Sequence, residues 1–255
     1  MESPKQISNP AHVYDTVFLQ YTARSSGYAA REIASRLAST LGVSSVLDVG
    51  CATGTWLKVW QGLGLADVKG IDGSYIDQTL LEIPARSFEA RDLKKPFDLK
   101  RRFDLVQCLE VAEHLPSETS SELIGTLARH AERYVLFSAA PPGQGGEFHI
   151  NEQSYEFWRR HFAAVGFKPY DFVRPQIVSD RNISFWYRYN VILYVRTETA
   201  SALPAQVVAT AISDNDAIPD ISPLMFKIRK AVVRWLPASV QTQIARTKAR
   251  LIGSG

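Results

Sequence analysis

Residues 46 to 54 read Val-Leu-Asp-Val-Gly-Cys-Ala-Thr-Gly, and Thr55-Trp56-Leu57 follow with a helical start. A short apolar strand therefore runs through an acid into a tight, glycine-spaced turn and out into a helix. Gly50 and Gly54 permit backbone angles that a Cβ resists, so the chain can turn closely beneath a ligand. The spacing is not that of the Gly-x-Gly-x-x-Gly pyrophosphate loop. No Lys-Ser or Lys-Thr follows to hold a nucleotide phosphate.

Strand and helix signals alternate after this unit, the pattern of a parallel sheet with crossover helices. The expected strands are 45–49, 68–72, 87–90, 103–109, 133–138, 167–173 and 184–196, with helices beginning near Thr55, Tyr75 and Ser117. Asn151 is the expected cap of a helix that stops at Gly166. The fold class is therefore α/β, a Rossmann-like, doubly wound, seven-stranded and mostly parallel sheet with helices on both faces. Its ligands sit beyond the carboxyl ends of the strands. Ahead of it, apolar spacing predicts two helices between Ala11 and Leu41, separated at Ser25-Ser26-Gly27. The division expected is a helical cap over 1–43, a ligand-binding domain over 44–198, a Pro- and Ser-rich linker over 199–224 and a basic helical tail over 225–255.

Two cysteines, Cys51 and Cys108, cannot make a disulfide framework, which suits a reducing cytoplasm. The amino terminus lacks the layout of a secretory signal, and no apolar run is long enough to span a bilayer. Net charge is +3, but all seven charges after Asp220 are positive, leaving 22 basic against 26 acidic residues before it, a balance of −4. An acidic main domain argues against a partner held by nucleic-acid phosphates.

The stretch Asp48-Val49-Gly50-Cys51-Ala52-Thr53-Gly54 resembles the first motif of class I S-adenosylmethionine-dependent methyltransferases, with Ala52 where many members carry glycine. Asp72-Gly73 at the end of the second strand, Asp92-Leu93 and the Phe103-to-Leu115 segment resemble the later motifs. Over roughly residues 45 to 197, the resemblance implies S-adenosylmethionine as cofactor. It implies contacts from Asp48, Gly50, Cys51, Ala52 and Gly54, ribose hydroxyls held by Asp72 beside Gly73, and the adenine near Asp92, Leu93 and Leu109. The ligand carries a sulfonium and no phosphate, so hydroxyl acceptors and close backbone approach suit it better than a basic loop.

Glu110, Glu113 and His114 stand at i, i+3 and i+4 after the fourth strand, sharing a face if that turn is helical. His149 lies in the glycine-rich loop after the fifth. The pattern resembles metal-using small-RNA 2′-O-methyltransferases and ubiquinone-pathway O-methyltransferases. That implies Glu110, Glu113, His114 and His149 as ligands for Mg²⁺ or Mn²⁺. The alternatives are a metal-free site with His149 or His114 as catalytic base, or a His114 that only caps a helix. The Pro141-to-Asn151 loop also resembles bacterial methyltransferases of glycan and natural-product clusters. The expected activity is O-methylation of a hydroxyl on a small molecule or glycan, with N-methylation of an amino sugar or amine, or a silent cofactor-binding module, as alternatives. Tyr155, Trp158, Trp186, Tyr187 and Tyr189 are candidates to stack on an acceptor ring, though core packing is the expectation for most.

In the tail, Phe226, Ile228, Val232, Val233, Trp235 and Leu236 interleave with Lys227, Arg229, Lys230 and Arg234. A basic amphipathic helix of this kind packs on its own protein or lies on an anionic membrane surface. The localisation expected is cytoplasmic, with peripheral membrane contact through 225–252 as an option. Sequence gives no oligomeric state.

Overall fold

A computed structural model describes residues 16–236 together with Val240 and Gln243, and side chains from Ser26 onward. The expected cap residues before Thr16 and most of the second tail stretch lie outside the described residues.

Seven strands form one sheet: β1 (Ser45–Val49), β2 (Asp67–Asp72), β3 (Phe88–Ala90), β4 (Phe103–Leu109), β5 (Ala131–Ser138), β6 (Phe167–Tyr170) and β7 (Ile192–Arg196). Their spatial order is β3-β2-β1-β4-β5-β7-β6. All pairings are parallel except those of β7, which runs antiparallel to β5 and β6. The order turns back on itself between β1 and β4, which opens a crevice at their carboxyl ends. β1 and β4 match the expected limits, because a largely apolar run between turn signals suits a strand covered on both faces.

Helices cover both faces. On one side α1 (Thr16–Leu41) buries Ala30, Ile33, Ala34, Leu37 and Leu41 at helical spacing, against Trp56, Leu57 and Trp60 of α2 (Thr55–Gly62). Buried Trp60 keeps its indole N–H satisfied by donating to Gln107 on β4 (2.9 Å). On the other side α3 (Ser120–His130) and α4 (Tyr155–Ala164) contribute Leu123, Ile124, Leu127, Trp158 and Phe162. Phe162 stacks on Tyr194 at 3.8 Å.

Several expectations are corrected. α1 runs through Gly27 without a break, since an interior glycine costs only about 1 kcal/mol relative to alanine and packing of the flanking turns outweighs it. No helix starts at Tyr75. Asp77 caps a short turn at Gln78–Leu80, and Glu82 is drawn to Thr53, Thr55 and Lys58 instead. Ser117 opens a 3-10 turn and α3 begins at Ser120. The α4 cap is Ser154, because Asn151 is occupied at Ala112 and Ser120. The final strand is less than half as long as expected: α6 (Phe185–Asn190) occupies its first part. Of the aromatics in α6, Tyr187 and Tyr189 are buried two residues apart, as in a strand, while Tyr187 and buried Asn190 stand at the helical spacing of three.

Residues 199–224 pack on the domain and are not a free linker. They include α7 (Ala205–Val208), the bridge Tyr170–Ala211 and fully buried Val207. Arg159 donates to the Ser213 carbonyl (2.6 Å) and the Asp216 carbonyl. Arg174, fully buried at the start of α5 (Arg174–Ile177), grips Asp171 with the Nε–Nη2 edge of its guanidinium and donates through Nη1 to the carbonyls of Tyr189 (3.0 Å) and Pro219 (2.9 Å). Removing one partner of a buried ion pair costs roughly 3–5 kcal/mol. Arg174→Ala should therefore lower unfolding stability by about that amount and open residues 199–222 to limited proteolysis, as read by denaturant titration and fragment mapping.

Candidate active site

The turn after β1 is held in left-handed backbone angles at Gly50 (φ 86°), Ala52 (φ 48°) and Gly54 (φ 88°). A Cβ on Gly50 would meet Val111 at 2.3 Å, and one on Gly54 would meet Ile83 at 2.8 Å. These glycines exist for close approach as well as for angle. The turn aims backbone donors at β2: Gly50 and Cys51 donate to the Ile71 carbonyl (2.8 and 3.2 Å), and Ala52 to the Asp72 carboxylate (2.7 Å). Asp72 also accepts from the Gly73 amide (2.6 Å) and the Tyr75 hydroxyl (2.5 Å). Asp48 is buried one strand away, Cys51 is buried against Gly70, and Leu109 closes β4. Asp92 is exposed and its carboxylate caps the Lys94 amide (3.1 Å), while half-buried Leu93 packs on the second core.

Beyond β4 the chain kinks. Glu110 has φ 55°, a costly angle for a residue with a long side chain, held by its amide donating to the Ser138 carbonyl (2.9 Å). Glu110 therefore does not share a helical face with Glu113 and His114. Its carboxylate accepts from the amides of Gln144 (3.1 Å) and Asn190 (3.3 Å). Glu113 and His114 sit in a 3-10 turn at Ala112–His114, with Glu113 fully buried. One ligand atom each from Glu113, His114 and His149 fall within 4.8 Å of one another, and Glu110 stands outside that trio. The two imidazoles meet edge to face at 4.9 Å.

Sequence reasoning missed Glu152. Its carboxylate accepts from the amides of Gly143 and Gly145 (2.7 Å each) and faces His149 Nδ1 at 2.8 Å. One side chain thus folds the glycine-rich loop and orients the histidine through Nδ1, leaving Nε2 outside that contact. A Cβ on Gly146 would strike the His149 ring at 2.1 Å, so that glycine seats the imidazole. The spacing His149-x-x-Glu152 was the available signal. Gln144 and Asn190 were also missed; they carry no motif, and only the fold brings them to Glu110. Trp158, Tyr187 and Tyr189 are buried, whereas Tyr155 and Trp186 are half-buried. Tyr155 donates to Asn190 (3.0 Å).

A family model described as a methyltransferase domain matches residues 21–170. Among solved structures, a sugar N-methyltransferase from Streptoalloteichus sp is similar at 17% identity, covering 77% of this chain and 98% of that one, with a TM-score of 0.57. An amino pentose methyltransferase from Micromonospora echinaspora, involved in calicheamicin biosynthesis, gives 17% identity over 74% of this chain and 100% of that one, with a TM-score of 0.51. Human N-acetylserotonin methyltransferase gives 14% identity over 70% and 55%, with a TM-score of 0.51. At these identities the likeness is one of fold. No curated protein matches the chain.

Burial dominates the electrostatics. It raises the carboxyl of Asp48 to about 8, and raises that of Asp72 against the pull of its three donors. Burial and the neighbouring Glu110 push Glu113 well above the usual carboxylate range. A proton bound more tightly in the folded chain than in the unfolded one stabilises the fold while it stays bound. The contribution of Asp48 is complete below its ordinary value of 3.8 and is lost as pH rises toward about 8. Stability of the ligand-free protein should therefore decline across that window, by an amount on the order of several kcal/mol. Asp48→Asn should flatten the decline, as read from urea midpoints between acid and mildly alkaline pH.

Proposed function

The chain belongs to the methyltransferase domain family, and from that premise we propose that it moves the methyl group of S-adenosylmethionine to a hydroxyl oxygen of a small molecule or glycan, with His149 as base. The turn at Gly50–Gly54 and the Asp72 cradle suit the cofactor. Asp72 is buried yet keeps one donor, the Tyr75 hydroxyl, on a side chain that is 39% exposed. A ribose hydroxyl would take the place of that phenol at the same carboxylate. Asp92 and Leu93 are assigned to the adenine side, and Leu109 to the floor at the end of β4.

The observation that carries the acceptor chemistry is the 2.8 Å contact between Glu152 and His149 Nδ1. A carboxylate there favours the proton on Nδ1 and leaves Nε2 as the ring nitrogen able to accept one. The acceptor oxygen gives its proton to Nε2 and forms a bond to the methyl carbon. Bound S-adenosylmethionine would supply that methyl group, with its carbon–sulfur bond breaking and a neutral thioether as the leaving group. Alignment of oxygen, carbon and sulfur supplies much of the rate, and the base adds roughly 10²–10⁴-fold.

The trio Glu113, His114 and His149 also fits a divalent cation. Among the described residues Glu113 Oε2 is buried without a hydrogen-bond partner, and a carboxylate with two imidazoles suits Mn²⁺ or Mg²⁺. Glu152 would then orient a ligand histidine. Such an ion would supply charge that favours the deprotonated acceptor hydroxyl. Glu110, held by Gln144 and Asn190, is the reserve carboxylate at its edge.

Asp72→Ala should weaken S-adenosylhomocysteine binding at least about tenfold, the loss of one charge-assisted hydrogen bond or more; unchanged affinity by calorimetry would refute the ribose assignment. His149→Ala should leave that affinity intact while lowering turnover by roughly 10²–10⁴-fold on any acceptor found by screening hydroxyl- and amine-bearing compounds. Retained turnover would remove His149 as base, and exclusive methylation of amines would replace the oxygen acceptor. Mn²⁺ titration of the S-adenosylhomocysteine complex should show about one ion, lost in His149→Ala, if the cation reading holds.

A further inference from the structure

No helix among the described residues is long and apolar enough to cross a membrane. The helix α8 (Leu224–Val233) nevertheless presents an unusual outer face. Leu224, Met225, Ile228, Val232 and Trp235 are 71%, 75%, 49%, 61% and 81% exposed. At about 100° per residue these five side chains fall within a single arc of about 100° when the helix is carried one turn past its end. Phe226 and Lys230 point the opposite way. Phe226 packs on Phe185 and Tyr189 of α6 (4.9 and 5.5 Å), and the Lys230 ammonium is buried on Asp220 (2.5 Å). One side of the helix is docked on the protein, and the apolar side faces directly away from it.

The borders of that arc are cationic. Exposed Arg229 lies on one flank, and exposed Lys227 and Arg234 on the other. Sequence after Asp220 contains no acid at all. We propose that α8 is an interfacial helix that lays this face on an anionic membrane surface. The apolar arc would enter the headgroup boundary while the flanking cations meet lipid phosphates. Two copies of the chain joined through the same face would bring Lys227, Arg229 and Arg234 against their own like charges, so charge complementarity selects an anionic surface over a second copy. An exposed tryptophan among the apolar residues is a side chain that favours the membrane–water boundary.

The inner side of α8 gives this attachment a bearing on the site. The Lys230 carbonyl lies where a Cβ on Gly143 would be (2.0 Å), and Arg229 donates to the Gln144 carbonyl (3.0 Å). The loop carrying His149 is thus seated on the same helix, one helix diameter of about 10 Å from the proposed surface.

The test is co-sedimentation of the full-length protein with vesicles of phosphatidylcholine alone and of phosphatidylcholine mixed equally with phosphatidylglycerol. Binding is expected to the mixed vesicles, to weaken with added salt, and to fall at least about tenfold both in Ile228→Asp/Val232→Asp and in Lys227→Glu/Arg234→Glu. Both variants should keep wild-type affinity for S-adenosylhomocysteine, which reports an intact fold and separates this result from any failure of the acceptor assignment. Absence of binding to mixed vesicles, or undiminished binding by the Asp variant, overturns the proposal. So does a vesicle-indifferent wild-type dimer that the Asp variant dissociates, which would make a second copy the occupant.

Discussion

The turn after β1 is the constraint on which the rest of the molecule hangs. Within five residues it must end a central strand, reach across to β2 and launch α2. Left-handed angles at Gly50 and Gly54 make that path possible, and contact with Val111 and Ile83 leaves no room for side chains there. The backbone donors so exposed meet the Ile71 carbonyl and the Asp72 carboxylate. Because Val111 follows the kinked Glu110, the same contact ties the turn after β1 to the Glu110–His114 segment after β4. Ala52 adopts a left-handed angle that favours glycine, and its amide is one of the two that hold Asp72.

What was legible in the sequence was what local pattern decides. β1 and β4 could be delimited because their apolar runs are bounded by turn residues, and the Asp48–Gly54 and Asp72 motifs because spacing alone defines them. The errors fall where tertiary packing overrides pattern. Gly27 looks like a helix break but lies in a helix pressed onto α2. Ser184 to Asn190 is rich in residues that favour strands and buries Tyr187 and Tyr189 at strand spacing, yet Phe185 to Asn190 form α6, in which buried Tyr187 and Asn190 lie one turn apart. Residues 199–224 have the composition of a linker but are fastened by Arg159 and Arg174, whose partners are carbonyls and leave no trace in composition. Glu113, His114 and His149, grouped from the sequence, lie together in the structure. Glu110 was misplaced because its positive φ has no sequence signal.

Glu152 shows how one carboxylate organises a loop. A glycine-rich segment gains little from side-chain packing and pays the full entropy of ordering its backbone. Two amide donors and an imidazole converging on a single side chain offset that cost at one point. The histidine orientation and the loop conformation are therefore one property, set by the same three hydrogen bonds. The Gln144–Asn190–Glu110 network fastens the other side of the loop to α6 and to the end of β4.

The contact of Gly143 with the Lys230 carbonyl has an evolutionary consequence. Loop and tail helix touch backbone to backbone, with no side chain between them to absorb a change by shifting its rotamer. A substitution at position 143 must move the helix, and a change in the helix path must reshape the loop. The loop and the tail helix are therefore bound to diverge together. A loop transplanted from a relative should work in this chain only if the helix that seats it is transplanted as well.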